Sequence, residues 1–447
     1  MYILTNGRLI TRDPDAKGYY EKGAVVYEGS KIVEVGEEAA LTAKYPQAKR
    51  IDARGGVIMP AFINAHTHIY SALARGLSIV GNNPTNFFEV LDGTWWAIDR
   101  HLTLEGTRAS ADALYIDCIK QGVTTIFDHH ASYCQIPGSL FQIGESAKKF
   151  GIRSCLCYEV SDRDGEEKCL EAIQENADWI TYCQEHKDPM LAAMFGGHAL
   201  FTISDKTFDR MVAANNGRTG YHIHVSEGMN DVYDSLQNYG RRPVQRLQDH
   251  GILGGKTILG HCIHVNTAEM EIIKETGTMV VNNPESNMGN AIGICPVLQL
   301  YKRGILLGMG TDAYTNDMLE SLKVALCSQR SQNCLPNVGW CEVTDMLFKN
   351  NAKIGAKYFP DQLGVLKAGA AADIIVMDYK PFTPFSDENI DGHMIFGMTG
   401  RQCQTTIAAG KLLMKDRELV GIDEEAENAH ILEASKKLWG SLNHREY

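Results

Sequence analysis

Alternation of short apolar runs with helical stretches constrains the fold of this chain more than any other feature. From Val57 onward there are eight such runs, most of which end in polar residues: "GVIMPAFI", "VTTIFDHH", "IRSCLCYEV", "MLAAMFGGHA", "TGYHIHVSE", "KTILGHCIHV", "GTMVVNN" and "ILLGMGTDA". Strands that alternate with helices at this spacing form a parallel sheet. Eight units over roughly 260–300 residues have the size of a (β/α)8 barrel. We therefore predict an α/β fold with a TIM-type barrel over residues 60–363.

The segments on either side of the barrel are β in character. The first contains "YILTNGRLI", "GAVVYEGSKIVEVG" and "ARGGVIM", and the last contains "GVLKAGAAADIIVMD" and "CQTTIAAGKLLMKDREL". Neither segment is large enough to bury a core alone. We predict that residues 1–59 and 364–447 pack together as one composite β-sandwich domain. The closing stretch "DEEAENAHILEASKKLWGSL" has apolar residues at helical spacing and predicts a C-terminal helix.

Composition excludes several classes of partner. The net charge of −12 argues against a nucleic acid or an anionic membrane surface. No apolar run approaches the roughly 18 residues that span a bilayer, and the first residues do not resemble a signal peptide. The twelve cysteines are scattered without a regular framework, which is typical of reduced thiols in the cytoplasm. We expect a cytoplasmic protein that binds a small molecule and forms a homo-oligomer, with a dimer as the favoured state.

Titratable residues stand at the ends of the predicted barrel strands, where the chemistry of such barrels is located. Six of the eight runs carry them: His66 and His68; Asp128, His129 and His130; His198; His222 and His224, followed by Glu227; His261, followed by His264; and Asp312. Residues two apart on a strand point to the same face, so His66 and His68 share one face. Buried, unpaired imidazoles and carboxylates cost free energy. A divalent metal held by nitrogen and carboxylate ligands, zinc or iron, is the natural partner for such a ring.

The motifs "MPAFINAHTH", "HVSE", "GHCIH" and "GMGTDA", in this order, resemble those of the amidohydrolase superfamily. The resemblance is to its branch with one metal ion, which contains deaminases of guanine, cytosine and S-adenosylhomocysteine and triazine hydrolases. It extends over nearly the whole chain. The stretches "HTHIYSALARG", "WWAIDR", "DHHAS" and "ESNM" are similar to those of a subgroup of aminohydrolases called SsnA, associated with selenium-dependent purine metabolism. The resemblance indicates the chemistry better than the substrate.

The resemblance implies a role for each matching residue. One divalent ion, zinc by preference and iron as the alternative, is expected on four ligands: His66, His68, His224 and Asp312. Glu227 is expected to relay protons, His261 to contact the attacking water, and Asp312 to act as base as well as ligand.

Two further residues match positions that contact substrate in relatives, His198 and Asp99, and a solvated helix charge is the alternative for Asp99. The chain has Leu200 where relatives often have proline, and Ala61 where they have glycine.

The function implied is hydrolytic deamination of an amino-substituted nitrogen heterocycle, similar to a purine or pyrimidine, with release of ammonia. The alternative is hydrolysis of another C–N bond, or of a C–Cl bond, in a cyclic amide, amidine or triazine. A non-catalytic scaffold is disfavoured because all four expected ligands are present. A centre with two metals is disfavoured because "MLAAMFGGHA" ends in neither lysine nor glutamate.

The sequence around Gly308 does not support a dinucleotide-binding site. Gly308-x-Gly310-x-x-Ala313 imitates a dinucleotide fingerprint, but no acidic residue ends a strand about 20 residues on. His222 faces the same side as His224 but is not part of the family pattern. Whether substrate contacts Trp95, Trp96, His129, His130 and Asn287 stays open at this point.

Overall fold

The computed structural model describes residues 1–447 and contains eighteen strands. They are β1 Tyr2–Ile10, β2 Tyr19–Glu28, β3 Lys31–Glu37, β4 Lys49–Asp52, β5 Val57–Pro60, β6 Phe62–Thr67, β7 Val123–His130, β8 Arg153–Tyr158, β9 Leu191–Ala193, β10 Phe195–Ala199, β11 Tyr221–Val225, β12 Ile258–His261, β13 Met279–Asn282, β14 Leu307–Met309, β15 Ile374–Met377, β16 Cys403–Ala408, β17 Lys411–Lys415 and β18 Glu418–Leu419.

Seventeen α-helices connect and cover these strands. They are α1 Glu38–Lys44, α2 Phe87–Val90, α3 Trp96–Asp99, α4 Leu104–Gln121, α5 Ser139–Phe150, α6 Glu166–His186, α7 Asp205–Asn215, α8 Met229–Tyr239, α9 Pro243–Asp249, α10 Thr267–Thr276, α11 Pro284–Gly289, α12 Val297–Lys302, α13 Met318–Asn333, α14 Trp340–Asp345, α15 Asn351–Gly355, α16 Ile390–Gly397 and α17 Glu424–Asn443. Short 3-10 or π segments lie at Ile69–Ala74, Leu91–Trp95, Leu200–Thr202, Met346–Asn350 and Gly400–Gln402. None of the helices combines the length and apolarity that a membrane crossing requires.

The central strands form a closed parallel barrel. One sheet runs β6-β7-β8-β9 and the other β10-β11-β12-β13-β14. Because β9 and β10 are two parts of one strand interrupted at Met194, the barrel has eight strand positions. Isolated parallel bridges from Thr67 to Asp312 and from Val160 to Gly197 join the two sheets. The predicted (β/α)8 barrel is confirmed.

Strands from both ends of the chain form one nine-stranded sheet, in the order β18-β17-β16-β15-β5-β1-β2-β3 with β4 beside β1. The junction lies where β15 pairs antiparallel with β5. The two ends also share a buried apolar core that includes Leu4, Val25, Ile58, Ile374 and Ile407. The expected split β domain is therefore present, while its exact boundaries, after residue 59 and after residue 363, stay a prediction.

Two local expectations differ from the structure. The run "GVIMPAFI" is divided between two sheets, because β5 ends at Pro60 and the barrel begins at Phe62. The amide of Ala61, between them, donates to the carbonyl of Asp373 at 3.1 Å. The first segment is also not entirely β, since it contains α1, whose sequence "EAALTAK" is rich in strong helix formers.

A buried ion pair connects the barrel to the composite sheet. Arg153, at the start of β8, is completely buried, and its guanidinium donates to the carboxylate of Asp373. Asp373 immediately precedes β15, and its other oxygen accepts from the amide of Ala409 at 2.6 Å. A single carboxylate therefore neutralises a barrel arginine and bonds to the C-terminal hairpin.

We predict that Asp373→Ala lowers the free energy of unfolding by about 3 kcal/mol, because the buried guanidinium of Arg153 then keeps only Asp361, at 3.9 Å, as a carboxylate neighbour. Urea unfolding followed by circular dichroism measures the loss. The matched control is Asp416→Asn, which removes the charge from a partly exposed pair with Arg54 at 2.8 Å and suits the left-handed backbone at this position, and it is expected to cost less than about 1 kcal/mol. Equal losses in the two variants would contradict this role for Asp373.

Candidate active site

Three predicted residues from the first and last barrel strands meet at the carboxyl end of the barrel. His66 and His68 lie on β6 and directly after it, and Asp312 follows β14. Nε2 of His68 lies 2.7 Å from Oδ1 of Asp312, and Nε2 of His66 lies 3.4 Å from the same oxygen. The bridge from Thr67 to Asp312 places the two strands side by side, and this brings the three side chains together.

Strands β11 and β12 supply the other side of the centre. Nε2 of His224 lies 3.2 Å from Nε2 of His68. Nε2 of His261 lies 3.6 Å from Oε1 of Glu227 and 3.9 Å from Oδ2 of Asp312. Glu227 lies two residues after the end of β11, and its side chain borders the open mouth of the barrel beside Asp312. The structure thus brings together all six residues predicted as ligands or catalysts.

The donor atoms suit a divalent cation of the zinc or iron type. One group of ligand atoms, from His66, His224, His261 and Asp312, lies within 4.8 Å of one another. His68 belongs by this measure to a second group, with His129, Glu159 and His224. Nε2 of His66 is buried and has no hydrogen-bond partner. An unpartnered imidazole nitrogen among nitrogen and carboxylate donors matches the ligand preference of such ions.

The two carboxyl groups of the centre have opposite pKa shifts. Burial raises the pKa of Glu227 well above its usual range, and the neighbouring Asp312 raises it further. Burial alone would also raise the pKa of Asp312, but His68 and His66 beside its oxygens hold that pKa well below the usual range. One carboxyl group is therefore suited to carry a proton and the other to remain an anion, which is how acid and base roles are divided between two carboxyls.

The backbone at the centre is strained. His261 has φ 68°, Asp312 has φ 57° and Ser226 has φ 49°, all in the left-handed region that L-residues rarely adopt. Such conformations persist only where surrounding structure enforces them, and they cluster at functional sites. The turn at each strand end directs the side chain of His261 and that of Asp312 into the barrel mouth.

Residues of α11 and the turn before it support the centre. Nδ1 of His261 donates to Oδ1 of Asn287 at 2.7 Å, and Nδ2 of Asn287 donates to Oδ1 of Asn282 at 3.1 Å. His261 thereby presents an unprotonated Nε2 to Glu227 and Asp312. The hydroxyl of Ser286 donates to Oδ2 of Asp312. The open question about Asn287 is resolved in part, because its side chain orients a predicted catalytic histidine.

The two predicted substrate contacts, His198 and Asp99, are both buried but have different hydrogen-bond partners. His198 is buried beside the centre, and its Nδ1 lies 2.8 Å from the hydroxyl of Thr202. Asp99 is only 1% exposed, so the alternative of a solvated helix charge is wrong. Its carboxylate accepts two hydrogen bonds from the guanidinium of Arg163, one of them at 3.3 Å. Sequence alone did not predict this pairing, because Arg163 lies in a polar loop without a recognisable motif.

A chamber above the centre is lined by Trp95 and Trp96 together with His198, Glu227 and Asp312. The two tryptophans are therefore placed to contact a bound molecule. His129 and His130 are completely buried instead. Nε2 of His129 donates to the carbonyl of His222 at 2.9 Å, and Nε2 of His130 lies 3.1 Å from the hydroxyl of Ser132.

Glu159 is a residue of the centre that the sequence reasoning missed. It is 2% exposed, and its Oε1 lies 3.3 Å from Nδ1 of His68 and 3.2 Å from Nδ1 of His129. It directly follows β8. The rule that active-site residues lie at the ends of barrel strands would have found it, since it is the charged residue next to the end of the run "IRSCLCYEV".

A closed (β/α)8 barrel with histidines and carboxylates at the carboxyl ends of its strands defines the class of metal-dependent barrel hydrolases. The sequence model of the amidohydrolase family matches residues 57–413, and the chain belongs to this family. A second model, an imidazolonepropionase-like composite domain of bacteria, matches residues 23–48. Membership confirms the expected hydrolase class, which acts on carbon–nitrogen bonds other than peptide bonds.

Curated relatives and solved structures agree with this assignment. The chain is 30% identical to a 5'-deoxyadenosine deaminase of Methanosarcina mazei, over 99% of each chain. It is 31% identical to a 5-methylthioadenosine/S-adenosylhomocysteine deaminase of Thermococcus sibiricus, over 88% of this chain and 90% of the relative. A zinc-bound adenosine deaminase of Xanthomonas campestris has the same fold, with a TM-score of 0.82, 22% identity and 98% of each chain covered.

Removal of the side-chain amide of Asn287 tests whether its hydrogen bond orients His261. We predict that Asn287→Ala lowers kcat/KM by roughly 10–100-fold, because loss of an outer hydrogen-bond partner misorients the group that it holds. Metal content per chain should stay at the wild-type value. The matched control is Asn333→Ala, on the surface helix α13, where the side chain bonds only the carbonyl of Gln329. An unchanged kcat/KM in Asn287→Ala would contradict an orienting role.

Proposed function

We propose that this protein is a metal-dependent aminohydrolase that replaces the amino group of a nitrogen heterocycle by a carbonyl oxygen and releases ammonia. The observation that carries the proposal is the convergence of four predicted ligands with Glu227 and His261, neither of which is required as a ligand. Glu227 lies 3.6 Å from His261 and on the chamber side of the centre. This arrangement has a place for a cation, a base and a separate proton carrier.

We assign one divalent ion to His66, His68, His224 and Asp312, with zinc preferred over iron. When bound, the ion supplies the Lewis acidity that lowers the pKa of a coordinated water towards neutral. The solved neighbours with zinc support the choice of metal. The ligand set follows the family resemblance. His68 lies 2.7 Å from Asp312 and 3.2 Å from His224, while the group of donor atoms within 4.8 Å of one another includes His261 in place of His68.

The side chains then divide the proton transfers. Asp312 accepts a proton from the attacking water, and Nε2 of His261 orients the attacking oxygen. Glu227 donates its proton to the ring nitrogen beside the attacked carbon. As the carbonyl forms, Glu227 takes up the proton of the new hydroxyl and passes it to the departing amine. The proton held by Asp312 then returns to Glu227, so both carboxyl groups regain their starting state. The carbon gains an oxygen and loses an amino group, so water and the amino heterocycle become a ring carbonyl and ammonia. General acid–base catalysis of this kind contributes about 10²–10⁴ in rate.

We infer that the substrate is a purine or a purine nucleoside. The curated relatives of Methanosarcina mazei and Thermococcus sibiricus act on adenosine derivatives, and they match nearly the full length of the chain. The chamber offers aromatic walls, Trp95 and Trp96, beside His198 and Glu227. A planar ring with an exocyclic amine suits such walls because its faces stack and its edge presents hydrogen-bonding groups. The chamber has a volume of about 30 Å³ in this conformation, so binding of a purine requires its walls to move apart.

Location and assembly are proposed from other features. Seven of the twelve cysteines are buried thiols, which agrees with a cytoplasmic enzyme.

Helix α8 exposes Met229, Tyr233 and Leu236 along one face, and this apolar face supports the proposed homo-oligomer, a dimer in the simplest case.

We predict one tightly bound divalent ion per chain. Metal analysis of protein purified without added metal should find zinc or iron near one equivalent, because the two groups of donor atoms share His224. Two ions per chain at full occupancy would overturn the assignment of a single ion.

We predict that Glu227→Gln keeps metal near the wild-type content but lowers turnover by about 10² or more, because the amide is similar in shape and cannot relay a proton. Asp312→Asn should lose metal as well as activity, since a neutral amide is a poorer ligand. The assay is ammonia release from aminated purines, purine nucleosides, pyrimidines and triazines, with wild type as the reference. Wild-type turnover in Glu227→Gln would remove the proton-relay role and weaken the aminohydrolase assignment.

A further inference from the structure

His222 forms a hydrogen bond across the interior of the barrel that the proposed mechanism does not use. It lies on β11, two residues before His224, and is completely buried. Its Nε2 lies 2.8 Å from Nδ1 of His66, on β6. The two H-x-H motifs of the chain are therefore in contact, and the first histidine of one is bonded to the first histidine of the other.

The ring protons of both histidines follow from this contact, on the basis of the ligand set proposed above. His66 offers Nε2 to the centre, so its Nδ1 carries the proton and donates it to Nε2 of His222. A neutral His222 that accepts at Nε2 carries its own proton on Nδ1. That Nδ1 is buried and has no partner in the protein. Nδ1 of His222 therefore has no hydrogen-bond partner in the protein, while its Nε2 bonds His66.

We propose that His222 is a positioning residue, which fixes the ring orientation and the tautomer of the ligand His66. Ligand histidines usually donate their second nitrogen to a carboxylate, a carbonyl or a water. Here the partner ligand His68 follows that pattern, since its Nδ1 lies 2.5 Å from the carbonyl of His129. His66 instead has a neutral imidazole as its acceptor.

The position of His222 is itself held from two sides. Its backbone pairs with Gly196 of β10 and with Ile258 of β12. Its carbonyl accepts a hydrogen bond from Nε2 of His129 at 2.9 Å. A side chain fixed in this way can hold the ring of His66 without moving itself, which is what a partner in the outer shell of a metal ligand requires.

Zinc affinity, measured by competition with a chromophoric chelator, tests the role without any substrate. His222→Leu removes the acceptor, and we expect its zinc dissociation constant to rise by about 10–100-fold. His222→Gln places an amide oxygen close to the position of Nε2, so it should bind zinc nearly as tightly as wild type. Thermal unfolding of the metal-free variants reports separately whether each protein folds.

The matched control is His264→Leu, because the side chain of His264 bonds only the carbonyl of Ile292 and forms no hydrogen bond with a proposed ligand. It should keep the wild-type affinity. Wild-type affinity in His222→Leu, or an equal loss in the Gln and Leu variants, would overturn the positioning role alone. A wild-type protein that binds no zinc would overturn the proposed function, and this inference with it.

Discussion

Burial of imidazoles and carboxylates in the mouth of one barrel is the constraint on which the rest of the structure depends. His66, His68, His129, His222, His224 and His261 are all almost fully buried, with Glu159 and Asp312 among them. Charged groups leave water at a high cost unless opposite charges and hydrogen bonds compensate them. Two carboxylates and one divalent cation would balance one another in charge. The three histidines proposed as ligands, His66, His68 and His224, can then remain neutral, each with one nitrogen for the cation.

The composite β domain helps to hold the barrel strand that carries His66. The strand that leads into the barrel, β5, is the neighbour of β15 from the far end of the chain, so the composite sheet holds β6 at its starting point. Asp373 neutralises Arg153 beneath the barrel, while Trp439 of α17 donates to the carbonyl of Leu73 just beyond His68. Because both contacts join parts of the chain that are distant in sequence, unfolding of the composite domain is expected to loosen His66 and His68, the metal ligands proposed at the end of β6.

Sequence patterns predicted those parts of the fold and site that local periodicity determines. The eight apolar runs mark the barrel strands because buried parallel strands have continuous apolar sequences. The residues that close these runs mark the site because strand ends converge on one rim. The pairing of His66 with His222, and of Asp99 with Arg163, depends on which side chains face one another across the barrel and its loops. That arrangement follows from strand stagger and loop conformation, which leave no local pattern. The helix α1 was missed for another reason: seven residues between strands were too few to outweigh the β character of their surroundings.

The left-handed backbone at His261 and Asp312 has a consequence for how this protein could evolve. Glycine is the residue that adopts such a conformation without steric cost, so each of these positions keeps a side chain at the expense of folding free energy. A descendant that no longer needed the chemistry would gain stability by accepting glycine at either position. Histidine and aspartate at these positions, in place of glycine, are what a trade-off between stability and activity produces in a sequence, of the kind that active sites impose on natural proteins.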